Sequence, residues 1–203
     1  MAKIMKSVFG VTLLMTICFY TLYQNTNDNI FLIFAITFGT TAYHFGVRLF
    51  VGTLFRRIMK NRADYTRRWY RVHNLEMKLY KRINVKKWKN KMPTYDRDTF
   101  DILKHSWDEI VQATCQSELV HEVNVVLSFL PLIASVLFGE FYVFLVTSIL
   151  SALFDLMFVF MQRFNRARIL KMQEKKRIDR FNEISNKNNK VKEMQSNDEE
   201  ILL

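Results

Sequence analysis

The chain has 203 residues, a formal net charge of +11 and a 50% hydrophobic composition, yet it contains two Pro and five Gly. So few turn-forming residues argue against an all-β or loop-rich fold and favour helices. The mean hydropathy of −0.03 conceals long apolar runs that alternate with basic ones, a pattern typical of an integral membrane protein and not of a soluble domain.

Four apolar runs are each close to the roughly 20 residues that a bilayer core requires. They cover residues 7–23, 30–55, 119–138 and 141–161. The short polar turns QNTNDN and GE join the first run to the second and the third to the fourth. We therefore predict an all-α integral membrane fold in which four transmembrane helices form two hairpins.

The basic residues indicate the orientation of these helices. Residues 56–91 hold 14 Lys or Arg against two acids, and the chain after Arg163 is also basic, whereas the two short turns contain neither Lys nor Arg. By the positive-inside rule the protein is a multi-pass cell-membrane protein with cytosolic N and C termini. We place a four-helix membrane domain, which includes a basic cytosolic loop at 56–117, at residues 1–173, and a polar, partly disordered cytosolic tail at 174–203.

Two amphipathic helices are predicted on the cytosolic surface, between the second and third spans. The first has apolar residues at helical spacing among basic ones: Tyr65, Trp69, Val72, Leu75 and Leu79. Such a helix suits the membrane surface or packing on the bundle. The second is predicted to start at Asp98 and to run into the third span. Its apolar face would hold Phe100, Leu103, Trp107 and Ile110.

Several ionisable groups lie in or beside the spans. The second span carries His44 and Arg48 one helical turn apart. The third opens with Glu118, His121 and Glu122, and the fourth contains Asp155 and ends in the stretch QRFNRAR at 162–168. Because an unpaired charge in a bilayer is costly, we predict that these groups converge on one cytosol-facing pocket. Arg48 or His44 is the available partner for Asp155.

Simpler roles for these residues stay open. Arg48 can snorkel to lipid phosphates, Glu118 and Glu122 can lie on a surface helix, and Arg163 and Arg166 can be positive-inside anchors.

A metal site and an acyl-enzyme are two further alternatives. Glu118-x-x-His121 is half of a bundle di-iron motif, but the sequence has one copy, so we expect no metal. Cys115 is a candidate to carry an acyl thioester, although no base is arranged beside it.

Acyl transfer is the chemistry that these residue types fit best. His121 would remove a proton from an acceptor hydroxyl, and Glu118, one turn back, would orient the imidazole. Arginines at the pocket rim would hold phosphates of the acyl donor. We expect acyl-coenzyme A or a similar donor as a co-substrate, and no bound cofactor.

Three short motifs occur in the order VKKWKNK, ELVH and QRFNRAR. With them, residues 83–169 resemble the glycosyl-4,4'-diaponeurosporenoate acyltransferase family. The resemblance implies esterification of a fatty acyl group onto the sugar 6-hydroxyl of a glycosylated carotenoid, as in staphyloxanthin-type synthesis. It also implies site residues: Trp88, Lys89, Glu118, His121, Gln162, Arg163, Asn165 and Arg166. Read without the resemblance, Trp88 indicates a membrane-interface anchor.

Two functions of other classes were weighed. A non-enzymatic membrane adaptor would hold anionic lipid or an acidic partner through the basic loop, but it has no need for Asp155 or for His121 beside Glu118. Nucleic-acid binding would use the positive charge, which the positive-inside pattern already explains. We therefore expect the lipid bilayer, a lipid-like acceptor and an acyl donor as partners, and no nucleic acid.

Overall fold

The computed structural model describes residues 2–88, 92, 98–101 and 103–201, with side chains described at 3–88, 92, 99–101 and 103–187. In chain order its elements are α1 (Ala2–Thr26), α2 (Asn29–Met59), a 3-10 helix (Arg68–Tyr70), α3 (Asn74–Arg82), α4 (Val85–Trp88), a 3-10 turn (Asp98–Phe100), α5 (Trp107–Leu127), α6 (Pro131–Phe138) and α7 (Phe141–Ile201). The described residues contain no β-strand, which confirms the predicted all-α class.

Four helical stretches among the described residues are long and apolar enough to cross a membrane. They are Lys3–Thr26, Asn29–Met59, Trp107–Phe138 and Phe141–Lys187. The four predicted spans are therefore confirmed by length and composition. Their arrangement as two hairpins, and the side of the membrane on which the termini lie, stay predictions.

The junction of α1 and α2 is a two-residue turn. Asn27 adopts a left-handed conformation (φ 54°), and the Asp28 side chain caps α2 by accepting a hydrogen bond from the Ile30 N–H at 2.9 Å. The two helices then pack closely along their length. At Gly46 an added Cβ would lie 3.0 Å from the Phe9 ring, so the absence of a side chain allows this contact.

The start of α5 differs from the prediction. A helix was predicted from Asp98, but residues 98–100 form one 3-10 turn and α5 begins at Trp107. The reason is a capping box, in which the Ser106 hydroxyl accepts from the Glu109 N–H and the Glu109 carboxylate accepts from the Ser106 N–H. As predicted, the helix then runs directly into the third span. That span is interrupted before Pro131, which starts α6.

The predicted first amphipathic helix is shorter than its apolar pattern indicated. Residues 68–70 form a 3-10 helix and α3 covers Asn74–Arg82, so the predicted stripe is not one helix. Tyr80 is the residue that α3 buries, while Leu75 is 77% exposed. Tyr80 packs with Val85 and Phe164 in a small core that fixes α3 and α4 against α7.

Packing divides the chain into two units, Met1–Arg166 and Ala167–Leu203. The first unit holds every residue of the site described below. In the second unit the backbone of α7 is helical as far as Ile201. The predicted division at residue 173 and the partial disorder of the tail stay predictions.

Candidate active site

Asp155 on α7 is the centre of a buried polar cluster. Its carboxylate is completely buried and accepts hydrogen bonds from Arg48 Nε at 3.0 Å and Arg48 Nη2 at 2.7 Å. Arg48 Nη2 also donates to Ser151 Oγ at 2.8 Å. Of the two predicted partners of Asp155, Arg48 and His44, Arg48 is the one that forms the ion pair, and both charges are neutralised within the bundle.

His121 on α5 completes this cluster. Its Nδ1 lies 2.8 Å from Asp155 Oδ1, and its ring stacks on Phe158 with 4.5 Å between centroids. A proton on Nδ1 is held by the carboxylate, which leaves the lone pair of Nε2 available to accept a proton. The same pairing of a carboxylate with an imidazole orients the general base in a catalytic triad.

A cavity of about 340 Å³ lies beside His121. Its polar lining residues include Arg48, Gln116, Ser117, His121, Asn124 and Gln162. Its apolar lining residues include Val8, Phe45, Leu49, Phe154, Phe158 and Met161, and Arg56 and Asn61 also line it. A cavity lined by both polar and apolar side chains suits a molecule that has a reactive polar group and a hydrocarbon chain.

Glu118 does not orient His121, so this prediction is wrong. The Glu118 side chain is completely buried and forms ion pairs with Arg163, at 2.8 Å between Nη1 and Oε1, and with Arg166. Residues three apart on a helix project roughly 60° from one another, so the two side chains meet different parts of α7. His121 meets Asp155, whereas Glu118 meets arginines that lie two to three turns further along α7.

Arg163 and Arg166 fasten the loop between the second and third spans to α5 and α7. Arg166 is completely buried, and its Nε and Nη2 donate to the Tyr70 carbonyl at 3.1 and 2.8 Å. Arg163 Nε donates to Glu76 Oε2 at 3.1 Å. The predicted substrate contact of Arg166 is therefore corrected to a structural role, because its guanidinium is enclosed by protein groups.

Three further predicted residues lie outside the His121 cavity as the described residues define it. His44 is buried edge-on to Tyr43, and its Nε2 has no hydrogen-bond partner among the described residues. Glu122 accepts from Trp69 Nε1 at 2.8 Å, on the side of Glu118. Asn165 is half-buried and makes contacts within the fold. Of the predicted group, Arg48, His121 and Gln162 line the cavity together.

Trp88, in the motif VKKWKNK, makes contacts within the fold. Trp88 Nε1 donates to the Ile83 carbonyl at 3.2 Å, and its ring packs on the core of Tyr80, Val85 and Phe164. Its contacts are thus internal, unlike those of the membrane anchor that the residue alone indicated. Lys89 lies outside the described residues.

Two contributors near the site were not predicted from the sequence: Ser151, which accepts from Arg48, and Gln116, which holds the backbone at Asn61. Gln116 Oε1 accepts from the Asn61 backbone N–H at 2.7 Å. The available signal for Ser151 was the spacing of Ser148, Ser151 and Asp155, which places three polar residues on one face of an apolar span.

The two alternative chemistries receive no geometric support. Cys115 is completely buried and is not part of the cavity wall. In the described part of the chain, no three His, Cys, Asp or Glu side chains come together as metal ligands.

A second cavity of about 540 Å³ lies further along the same helices. Its lining is nearly all apolar and includes Ile36, Gly39, Pro131, Ala134, Phe138 and Phe144. Two polar contacts are made by residues near this cavity in the sequence, and one of these residues, Tyr43, also lines it. Tyr43 Oη donates to the Leu127 carbonyl at 3.0 Å, and the hydroxyls of Ser128 and Ser151 are 3.1 Å apart.

A family model described as glycosyl-4,4'-diaponeurosporenoate acyltransferase matches residues 66–175, which is more than half of the chain. The chain belongs to this family. Membership supports an acyltransferase of carotenoid biosynthesis and confirms the resemblance seen in the three motifs. The matched range includes His121 and Asp155, whereas Arg48 precedes it. No curated protein and no solved structure matches the chain.

Proposed function

We propose that the protein is a membrane-bound acyltransferase. It moves a fatty acyl group from cytosolic acyl-coenzyme A, or a similar donor, to a hydroxyl of a glycosylated carotenoid or another lipid acceptor. The observation that carries this proposal is the 2.8 Å contact between Asp155 and His121, where His121 lines a cavity that has both polar and apolar lining residues. Family membership supports the same class of reaction.

His121 acts as the general base in this reaction. As the acceptor oxygen attacks the thioester carbonyl, its proton passes to His121 Nε2, and Asp155 stabilises the imidazolium that forms. The imidazolium then protonates the leaving thiolate. Arg48 holds Asp155 ionised and in place through two hydrogen bonds, so it acts as a positioning residue.

The donor is proposed to approach from the basic side of the bundle. Arg56 lines the His121 cavity, and residues 56–91 carry 14 Lys or Arg. A polyanionic donor is attracted by such a surface, and guanidinium groups bind phosphates well. This approach requires the basic loop to face the cytosol, as the positive-inside rule predicts.

The apolar cavity of about 540 Å³ is proposed to receive hydrocarbon from the acceptor or the acyl chain. On α2, its lining residues lie between positions 32 and 43, whereas those of the His121 cavity begin at Phe45. Gly39 and Arg48 are nine residues apart, which is roughly 14 Å of helix. A long chain whose reactive end lies at His121 is therefore able to span this distance.

The test is transfer of a radiolabelled acyl chain from acyl-coenzyme A to glycosyl-4,4'-diaponeurosporenoate in membranes. His121→Ala and His121→Gln should abolish transfer, because neither side chain accepts a proton at neutral pH. His73→Ala is the matched control, since this exposed histidine precedes α3 and does not line the cavity. Turnover of His121→Ala near that of the wild type would refute the assignment of His121 as the base, whereas absence of transfer by the wild type would favour the membrane adaptor.

The topology is tested separately by cysteine labelling. After Cys18 and Cys115 are replaced, Asn27→Cys should react from outside intact cells, and Asn188→Cys only after the membrane is opened. Labelling of both positions from one side would contradict the proposed orientation.

A further inference from the structure

Asn124 is a buried amide that the reaction scheme above does not use. It follows His121 by three residues on α5, so the two side chains project to neighbouring sides of the helix. Asn124 is 2% exposed and lines the His121 cavity, and its Oδ1 has no hydrogen-bond partner among the described residues. A buried polar group without a partner is unusual and calls for an explanation such as a ligand.

Four other buried side-chain atoms have no hydrogen-bond partner among the described residues, and two of these, Glu118 Oε2 and Arg166 Nη1, form an ion pair with each other. The remaining two show why Asn124 is distinctive. They are His44 Nε2 and Ser148 Oγ, and neither residue is part of the described wall of the His121 cavity. A ligand in that cavity is therefore able to satisfy Asn124 but has no direct route to the other two. Rotation of the amide by half a turn exchanges its oxygen and nitrogen, so Asn124 can offer N–H donors to such a ligand.

Acyl transfer requires a donor of this kind. When the acceptor oxygen bonds to the thioester carbon, the carbonyl π pair moves to oxygen and creates an oxyanion. Arg48 commits its Nε and Nη2 to Asp155 and Ser151, so its remaining nitrogen, Nη1, is held where those bonds place it. An uncommitted amide beside the general base meets the requirement, since preorganised N–H donors stabilise the charge that develops in the transition state.

We propose that Asn124 is a catalytic residue whose Nδ2–H donates to the oxyanion of the tetrahedral intermediate. The acceptor O–H proton resides on His121 at that stage. Collapse of the intermediate re-forms the carbonyl, breaks the carbon–sulfur bond and releases the thiolate, which takes the proton back from His121. The products are the ester and the free thiol. This inference rests on the proposed acyl transfer.

The experiment measures kcat and KM for palmitoyl-coenzyme A and glycosyl-4,4'-diaponeurosporenoate in detergent-purified full-length protein. Asn124→Ala should lower kcat about 10²–10³-fold, the usual loss for one oxyanion donor, with little change in either KM. Asn124→Asp keeps the size and the acceptor oxygens but loses the donor, so it should fail equally. Ser148→Ala removes another unpartnered buried polar group and should retain the wild-type rate.

Each outcome decides the inference. A wild-type rate in Asn124→Ala together with an inactive His121→Ala would overturn the inference and leave the proposed function standing. A raised acceptor KM with unchanged kcat, or full activity in Asn124→Asp, would overturn it in favour of a hydroxyl-binding role. If Asn124→Ala does not fold, Asn124→Asp decides by the same criteria. Absence of transfer by the wild type would overturn the proposed function and the inference with it.

Discussion

Asp155→Asn tests whether Asp155, as observed, or Glu118, as expected from sequence, is the carboxylate that orients His121. In the wild type, one carboxylate oxygen faces His121 Nδ1 at 2.8 Å and the other receives Arg48. The asparagine oxygen is held by the Arg48 donors, so its NH₂ is directed toward His121. The imidazole must then accept at Nδ1 and carry its proton on Nε2. In that tautomer it cannot remove a proton from the acceptor hydroxyl.

The size of the effect follows from these contacts. The wrong tautomer in a triad of this kind lowers kcat about 10⁴-fold, which at ~1.36 kcal/mol per tenfold is about 5.4 kcal/mol of transition-state stabilisation. Removing one partner of a buried ion pair costs about 3–5 kcal/mol of folding free energy. Because the amide oxygen still accepts from Arg48, we expect the lower end of that range.

The assay compares kcat per folded molecule with the free energy of unfolding, measured by tryptophan fluorescence in detergent. Glu118→Gln is the matched control, since it also removes a completely buried carboxylate from arginine partners but leaves His121 untouched. It should lose stability to a similar extent and keep most of its turnover per folded molecule. If Asp155→Asn stays within tenfold of the wild type while Glu118→Gln is inactive, Asp155 does not orient the base and the reasoning fails.

Three further predictions concern the cavity, the arginine clamp and pH. A Cβ added at Gly52 or at Gly10 meets no atom within 4 Å, but only Gly52 of these two lines the His121 cavity. Gly52→Phe should therefore block acyl transfer at unchanged stability, while Gly10→Phe should leave acyl transfer unchanged. Equal rates in the two variants would contradict the cavity assignment. Arg166→Ala should lower the free energy of unfolding by about 3–5 kcal/mol, because Glu118 is left buried and the Tyr70 carbonyl loses its donor. Substitution of the exposed Arg177 by Ala should change the free energy of unfolding by less than about 0.5 kcal/mol. Similar denaturation curves for the two variants would argue against a stabilising role for Arg166. Burial, together with the Glu76 carboxylate, raises the pKa of Tyr80 from 10.0 to about 12. Because the pKa of Tyr80 is higher in the folded state than in the unfolded state, its contribution to stability is complete below about pH 10 and is lost as the pH rises toward 12. Tyrosinate absorbance of the wild type should show a late-titrating group that is absent from Tyr80→Phe. Identical titrations of the two proteins would disprove the shift.

The spans and one ion pair followed from the sequence for a general reason. A bilayer demands a long apolar helix wherever the chain crosses it, and this requirement does not depend on which helices become neighbours. A carboxylate within such a helix must find a cation. Arg48 and His44 were the available residues in the second span, so the need for such a partner could be predicted before the packing was known, and the packing selected Arg48.

Local sequence was less informative in the loop between the second and third spans. The apolar pattern from Tyr65 to Leu79 predicted one helix, but Tyr70 and Tyr80 are the residues that become buried. Their burial depends on arginines of α7, more than 80 residues away, which bind the Tyr70 carbonyl and the Glu76 carboxylate. Such long-range partners override a helical pattern whose apolar face finds nothing to pack against.

The partner of His121 was decided by tertiary structure. Sequence spacing relates residues on the same helix, so it presented Glu118, one turn before His121, as the orienting carboxylate. It does not give the register of α5 against α7. In the fold that register places Asp155, 34 residues away, on His121 and two arginines on Glu118. The sequence by itself thus determined the membrane-spanning helices and the residue types of the site, whereas helix packing determined which carboxylate serves the base and which holds the loop.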